Sequence, residues 1–119
     1  MKKTFLILSA IMFLTLTCNS FGQHTQSGTF FANAQTPGYN LQKNEGDRSV
    51  SIEVSFAQPF DIKPDIIVSV SQVEAGADAP VRYNVHPFAI SRDGFIIKVS
   101  TWSNSKILQI GGGWIAVSK

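Results

Sequence analysis

The chain predicts an all-β fold, a six-stranded antiparallel β-sandwich. Three observations carry this. Runs of alternating apolar and polar residues recur along the chain, the period-two signature of half-buried strands. Clusters of Pro, Gly, Asn and Asp separate the runs. Beyond the first twenty-odd residues no segment shows a 3.6-residue apolar period, so helices have no amphipathic face to build on. About six strands in one modest core point to a sandwich.

Residues 1–22 are excluded from the fold. Lys2 and Lys3 supply a positive start, Phe5 to Leu16 is apolar, and Ser20 and Gly22 place small residues where a signal peptidase reads them. The expectation is a signal peptide removed before Gln23, in the bacterial style. A membrane anchor is the alternative, but the apolar run is shorter than the ~20 residues that a span requires. A lipid on Cys18 is a second alternative, opposed by the poor match of Thr15-Leu16-Thr17 to a lipobox. The mature domain then covers 23–119. It carries eight basic and eight acidic residues, because Lys2 and Lys3 account for the formal +2 of the whole chain. A neutral domain gives no reason to expect a nucleic-acid partner or membrane insertion of the mature chain. Its single cysteine leaves with the signal, so core packing and oligomerisation must stabilise it without a disulfide.

Gln26 to Phe31 reads as a short strand. Ala32 to Asp47 is a loop by composition, with Pro37-Gly38, Asn40, Asn44 and Glu45-Gly46-Asp47. Its charged tip is either a solvated turn or a source of a ligand-binding carboxylate. Residues 49–56 form the cleanest strand: Val50, Ile52, Val54 and Phe56 face inward, and Ser49, Ser51, Glu53 and Ser55 outward. Pro59 and Pro64 close it. Residues 65–73 are more continuously apolar, which suggests a place near the centre of a sheet. Glu74 to Pro80 is a turn. Along 81–91, Val81, Tyr83 and Val85 share one face, and Arg82, Asn84 and His86 the other. Pro87 should end the ladder or force a bulge. Arg92-Asp93-Gly94 is a turn in which Gly94 can take positive φ.

Gly94 to Trp114 organises the rest. Phe95, Ile97 and Val99 alternate with Lys98 and Ser100. Leu108, Ile110 and Trp114 continue an apolar set after Ser103-Asn104. The expectation is a β-hairpin whose tip carries Trp102, Ser103, Asn104 and Ser105. Trp102 falls on the polar side, where a large aromatic has no packing role. Gly111–Gly113 suits a bulge or a close backbone approach. It is not a phosphate loop, since no helix follows.

Catalytic signatures are missing. His24 and His86 are the only histidines, and no GxSxG, HExxH, Walker loop or His/Cys cluster is present. A two-carboxylate glycosidase is the remaining enzymatic alternative. The expectation is a non-enzyme with no cofactor and no metal.

The ordered set QSG, VSF-x-x-PF-x-x-x-P, IIVSVSQV, VRYNV, S-x-x-GF, TWSNSKI and WIAV resembles the H-type lectin domain, the family of snail agglutinins and the C-terminal domain of slime-mould discoidins. The resemblance spans Gln26 to Val117. It implies a six-stranded antiparallel sandwich that assembles as trimers, sometimes hexamers. It also implies binding of galactose or N-acetylgalactosamine glycans in shallow sites near protomer boundaries. Arg82 matches the family's ligand-binding arginine and Trp102 its ring platform. The loop aspartate corresponds to Asp47 by residue type, or to Glu45 by ungapped counting from Phe56. Ser103 stands where the best-known snail lectin has a histidine on the acetamido group, and Leu108 replaces a nearby aromatic. A structural or adhesive surface module without sugar binding is the alternative function that those two changes suggest. Independently of the family, Arg82 offers a fork of donors, Trp102 a stacking face and Asp47 or Glu45 an acceptor for two adjacent hydroxyls.

Overall fold

The computed structural model describes residues 24–119. The expected signal peptide and Cys18 lie outside them. Six strands follow in order: β1 (Thr25–Asn33), β2 (Arg48–Ser55), β3 (Asp65–Ala75), β4 (Asn84–Phe88), β5 (Gly94–Thr101) and β6 (Ile107–Val117). They form two three-stranded antiparallel sheets, β1-β6-β3 and β2-β5-β4. The predicted all-β sandwich is therefore the observed one.

The core lies between the sheets. Val50, Phe95, Ile97 and Val99 project from one, and Phe30, Ala32, Ile110, Trp114 and Ala116 from the other. Period-two alternation dictates this, since every second side chain of a strand shares a face. Aromatic edges seal one end. Phe56 meets Phe60 edge-on at 4.9 Å, and Phe95 meets Trp114 at 5.3 Å and 77°. The Trp114 indole lies on Gly28, where an added Cβ would come within 2.7 Å of the ring. The loop between β1 and β2 is not merely a solvated connection. Its Leu41 is fully buried, and its Tyr39 donates a hydrogen bond to the Ile107 carbonyl at 2.5 Å.

Several expectations are corrected. β5 and β6 do not form a hairpin, because they belong to opposite sheets. Both bury one face in the same core, so they stand across it rather than side by side. The Trp102–Lys106 segment is the crossing, turned by Ser103 at φ 59°. The hairpin lies one step earlier, between β4 and β5. Its positive φ falls on Ala89 (52°) and not on Gly94. A Cβ on Gly94 would instead run into the Val54 carbonyl.

β3 is an edge strand, and the centres are β5 and β6. Its continuous apolar character leaves Ile67 62% exposed. The segment 81–83 is outside β4, and Val81 and Tyr83 are exposed rather than inward. Pro87 stays in the ladder opposite Ile97 without a break, which an edge strand permits because one side of its backbone needs no partner. Leu108 is 41% exposed and not part of the inward set. Between β3 and β6, Ala75 pairs with Ile107 and Glu74 with Gln109, so Leu108 is the extra residue of a bulge.

Candidate functional site

The last ladder pair of β2 and β5 is Arg48 opposite Thr101. Both side chains are buried. Alternation then sends the flanking residues, Asp47 and Trp102, to the opposite, outer face of the sheet. They share an open cleft of about 490 Å³ there with Asn40, Ser49, Lys98 and Ser100, floored by Arg48 and Thr101. Trp102 is 40% exposed. A carboxylate, an ammonium, hydroxyls and an uncovered indole thus meet in one concavity. Asn40 lines it too, and its Oδ1 is buried with no hydrogen-bond partner among the described residues.

Arg48 builds this site from below. Its guanidinium donates to five backbone carbonyls: Nε to Gly46 at 3.0 Å, Nη1 to Lys43 at 2.7 Å and Leu41 at 3.3 Å, and Nη2 to Ser103 at 3.0 Å and Ser105 at 2.8 Å. Three of these carbonyls belong to the loop ending at Asp47, and two to the segment that follows Trp102. One planar cation, with donors in a fixed fork, ties the two segments together. Carbonyl dipoles stabilise its positive charge. Gly46 N donating to Ser103 O at 2.9 Å and Ile107 N donating to Leu41 O at 2.9 Å close the same joint. Lys106 Nζ also donates to the Asn44 carbonyl.

The residues singled out in the sequence divide between two places. Asp47 and Trp102 come together in the cleft. Glu45 is exposed at the loop tip, between Asn44 (φ 64°) and Gly46 (φ 85°), and does not line the cleft. Ser103 is exposed in the left-handed region, with its carbonyl turned inward to Arg48. Arg82 also lies outside the cleft. Its Nη1 donates to Asn104 Oδ1 at 3.0 Å and Ser105 Oγ at 3.2 Å, and its carbonyl accepts from Thr101 Oγ1 at 2.6 Å. Its guanidinium and its backbone carbonyl are therefore both held at the far end of the Trp102 turn.

Arg48, Asn40 and Lys98 were not singled out. A signal for Arg48 was present: it shares the parity of Val50, Ile52, Val54 and Phe56, so it stands on the inward face. An arginine at an inward position must satisfy its donors internally. Lys98 carried only the ordinary look of an outward strand residue. Asn40 sits in a loop whose path no local pattern predicts.

The H-type lectin domain model matches residues 51–117, more than half of the chain. That span includes Arg82, Lys98 and Trp102 and begins just after Asp47. Two discoidin II structures from Dictyostelium discoideum, the native recombinant protein and the wild type, superpose with TM-scores of 0.72 and 0.73 at 21% identity. Each covers 82% of this chain, and this chain spans only 38% and 37% of their lengths. They share its fold. A product of the ATP synthase subunits region of Fuscovulum blasticum, ORF 7, is 26% identical over 98 residues, covering 82% of this chain and 84% of its own. The matched family model and the sandwich lead to one conclusion: the chain belongs to the H-type lectin domain family.

Proposed function

We propose that this protein is an exported lectin that binds galactose- and N-acetylgalactosamine-type sugars, in shallow sites near the protomer boundaries of a trimer or hexamer. The supporting observation is the shared cleft of Asp47 and Trp102. An ionised carboxylate accepts hydrogen bonds from two neighbouring hydroxyls at once. An exposed indole covers the apolar C–H face that a galactose ring presents opposite its axial hydroxyl. Asp47 suits the carboxylate role better than Glu45, which does not reach the cleft.

Arg82 is the second donor group of this proposal. Because it stands outside the Asp47–Trp102 cleft, it serves a sugar held at the boundary between copies. Ser103 supplies only a short hydroxyl beside the ring platform, so selectivity for the N-acetyl group is weak. Sites of this kind are individually weak, and several in one assembly add avidity. The role is binding rather than catalysis. The Lys2-Lys3 start and the apolar segment after it support export to the surface or medium.

A glycan array probed with the mature protein and with Trp102→Ala tests the proposal. Binding to galactose-terminated glycans is expected, with a loss of about ten-fold or more in the variant, since stacking adds to the area that the ring buries. A blank array for a folded, oligomeric wild type rejects a sugar-binding role and favours the adhesive module.

A further inference from the structure

We infer that the cleft continues into a subsite for an anionic group, centred on Lys98, so that the preferred ligand is an acidic glycan: a galactose-type sugar whose neighbouring position bears a sulfate or carboxylate. This rests on the lectin assignment above and adds the charge of the ligand to it.

The register of the β2-β5-β4 sheet lays out its outer face in rows. Asp47 and Trp102 stand at the open end. Ser49, Ser100 and Asn84 form the next outward row, and Ser51, Lys98 and His86 the one after. Trp102 directly follows β5 and lies four residues beyond Lys98, which is roughly 14 Å at ~3.4 Å per extended residue. Lys98 lines the same cleft as Asp47. The distance exceeds one pyranose ring, so a sugar stacked on Trp102 leaves room for a second ring or a substituent over Lys98.

Lys98 has no ion-pair partner within 4.0 Å among the described residues. Lys98 faces Ser51 on one side and His86 on the other. Asn84 Oδ1 stands 3.2 Å from His86 Nδ1. Glu53 is the carboxylate diagonal to Lys98, yet its own partner across the ladder is Ile96. Asp47 shares the cleft from its other end. Neither pairs with the lysine, because the one ion pair within 4.0 Å among the described residues is Lys119 with Asp65. Lys98 is half-buried on the central strand between two neighbours, which limits the screening of its charge by solvent. The three serine hydroxyls around it are further donors for anionic oxygens. The cleft is therefore polarised, with the acceptor at the Trp102 end and the donors at the Lys98 end.

The test uses the mature protein on paired glycans that share one galactose terminus: neutral, sulfated, and carrying a carboxylate sugar. Wild type is expected to bind the acidic members roughly three- to ten-fold more tightly than the neutral one, between the upper range of exposed ion pairs and the lower range of charge-assisted hydrogen bonds. The preference shrinks as salt rises. Lys98→Gln abolishes the preference, so that its affinities for the neutral and acidic members become equal. Lys63→Gln, an exposed lysine far along the chain, leaves it intact and separates a local subsite from general charge. The sulfate and carboxylate arms identify which anion fits. Equal binding of neutral and acidic glycans by wild type overturns the Lys98 subsite while leaving the lectin role standing. A preference that survives in Lys98→Gln also overturns it. Binding to none of the glycans removes both.

Discussion

Replacing Arg48 with methionine should loosen the two segments that carry Asp47 and Trp102 before it unfolds the sandwich. Methionine keeps much of the stem volume and removes all five donated hydrogen bonds. The five carbonyls are not equally exposed to the loss. Leu41 O keeps Ile107 N, and Ser103 O keeps Gly46 N. Gly46 and Lys43 lie on the exposed loop, where water can replace the guanidinium. Ser105 is fully buried, so its carbonyl bears the full desolvation cost, about 1–3 kcal/mol. With smaller contributions from the exposed pair, the expected destabilisation is about 3 kcal/mol. For a domain of this size that is a fall in Tm of roughly 12–24 °C. Total stability of ~5–15 kcal/mol leaves the variant folded at room temperature. Urea unfolding followed by circular dichroism gives the energy. Hydrogen exchange read by mass spectrometry gives its location, with faster exchange expected at 41–47 and 102–107 and little change in β5. Arg48→Lys should recover less than half, because a single ammonium cannot span five carbonyls in a fork. A loss below about 1 kcal/mol with unchanged exchange in both segments would refute the idea that this arginine joins them.

Other consequences follow from the same packing. Burial pushes the Tyr39 phenol up from 10.0 to about 12. A folded-state value above the unfolded one means stability that is complete below pH 10 and lost as pH rises towards 12, a total of about 2–3 kcal/mol. The stability advantage of wild type over Tyr39→Phe in urea titrations should therefore shrink across that alkaline window, and a constant difference would contradict the assignment. Leu41→Ala, in a loop that reads as solvated but is packed into the core, should cost about 2–5 kcal/mol, since the side chain is fully buried. A cost under 1 kcal/mol in denaturant would show that the loop does not plug the sandwich.

Much of the fold was legible in local pattern. The alternation in 49–56 and 95–99 placed Val50, Phe95, Ile97 and Val99 inward, where they are. It also placed Trp102 on the outer face, and composition located the loop holding Asp47. These are properties of a few consecutive residues, and a strand's two faces follow from its own dihedrals. What failed was whatever depended on a partner. Chain order suggested that β5 turns back on β6, but only the choice of sheet decides which strands pair. That choice is made by burying both apolar faces in one core. The bulge that turns Leu108 outward exists only against the register of β3. Val81 and Tyr83 alternate correctly and are still outside the ladder.

The candidate site divides along the same line. The sequence by itself determined the kinds of group available: a carboxylate in a turn-rich loop, a tryptophan without a packing role, an arginine before the GF turn. Tertiary structure decided which of them meet. Asp47 and Trp102 are far apart along the chain and share a cleft because β2 and β5 pair from Arg48–Thr101 onward. Arg82 stands apart because its guanidinium donates to Asn104 and Ser105 and its carbonyl accepts from Thr101. Pairing across a core is a long-range choice made by burial and hydrogen-bond satisfaction summed over the whole domain, and no short stretch of the chain carries that sum.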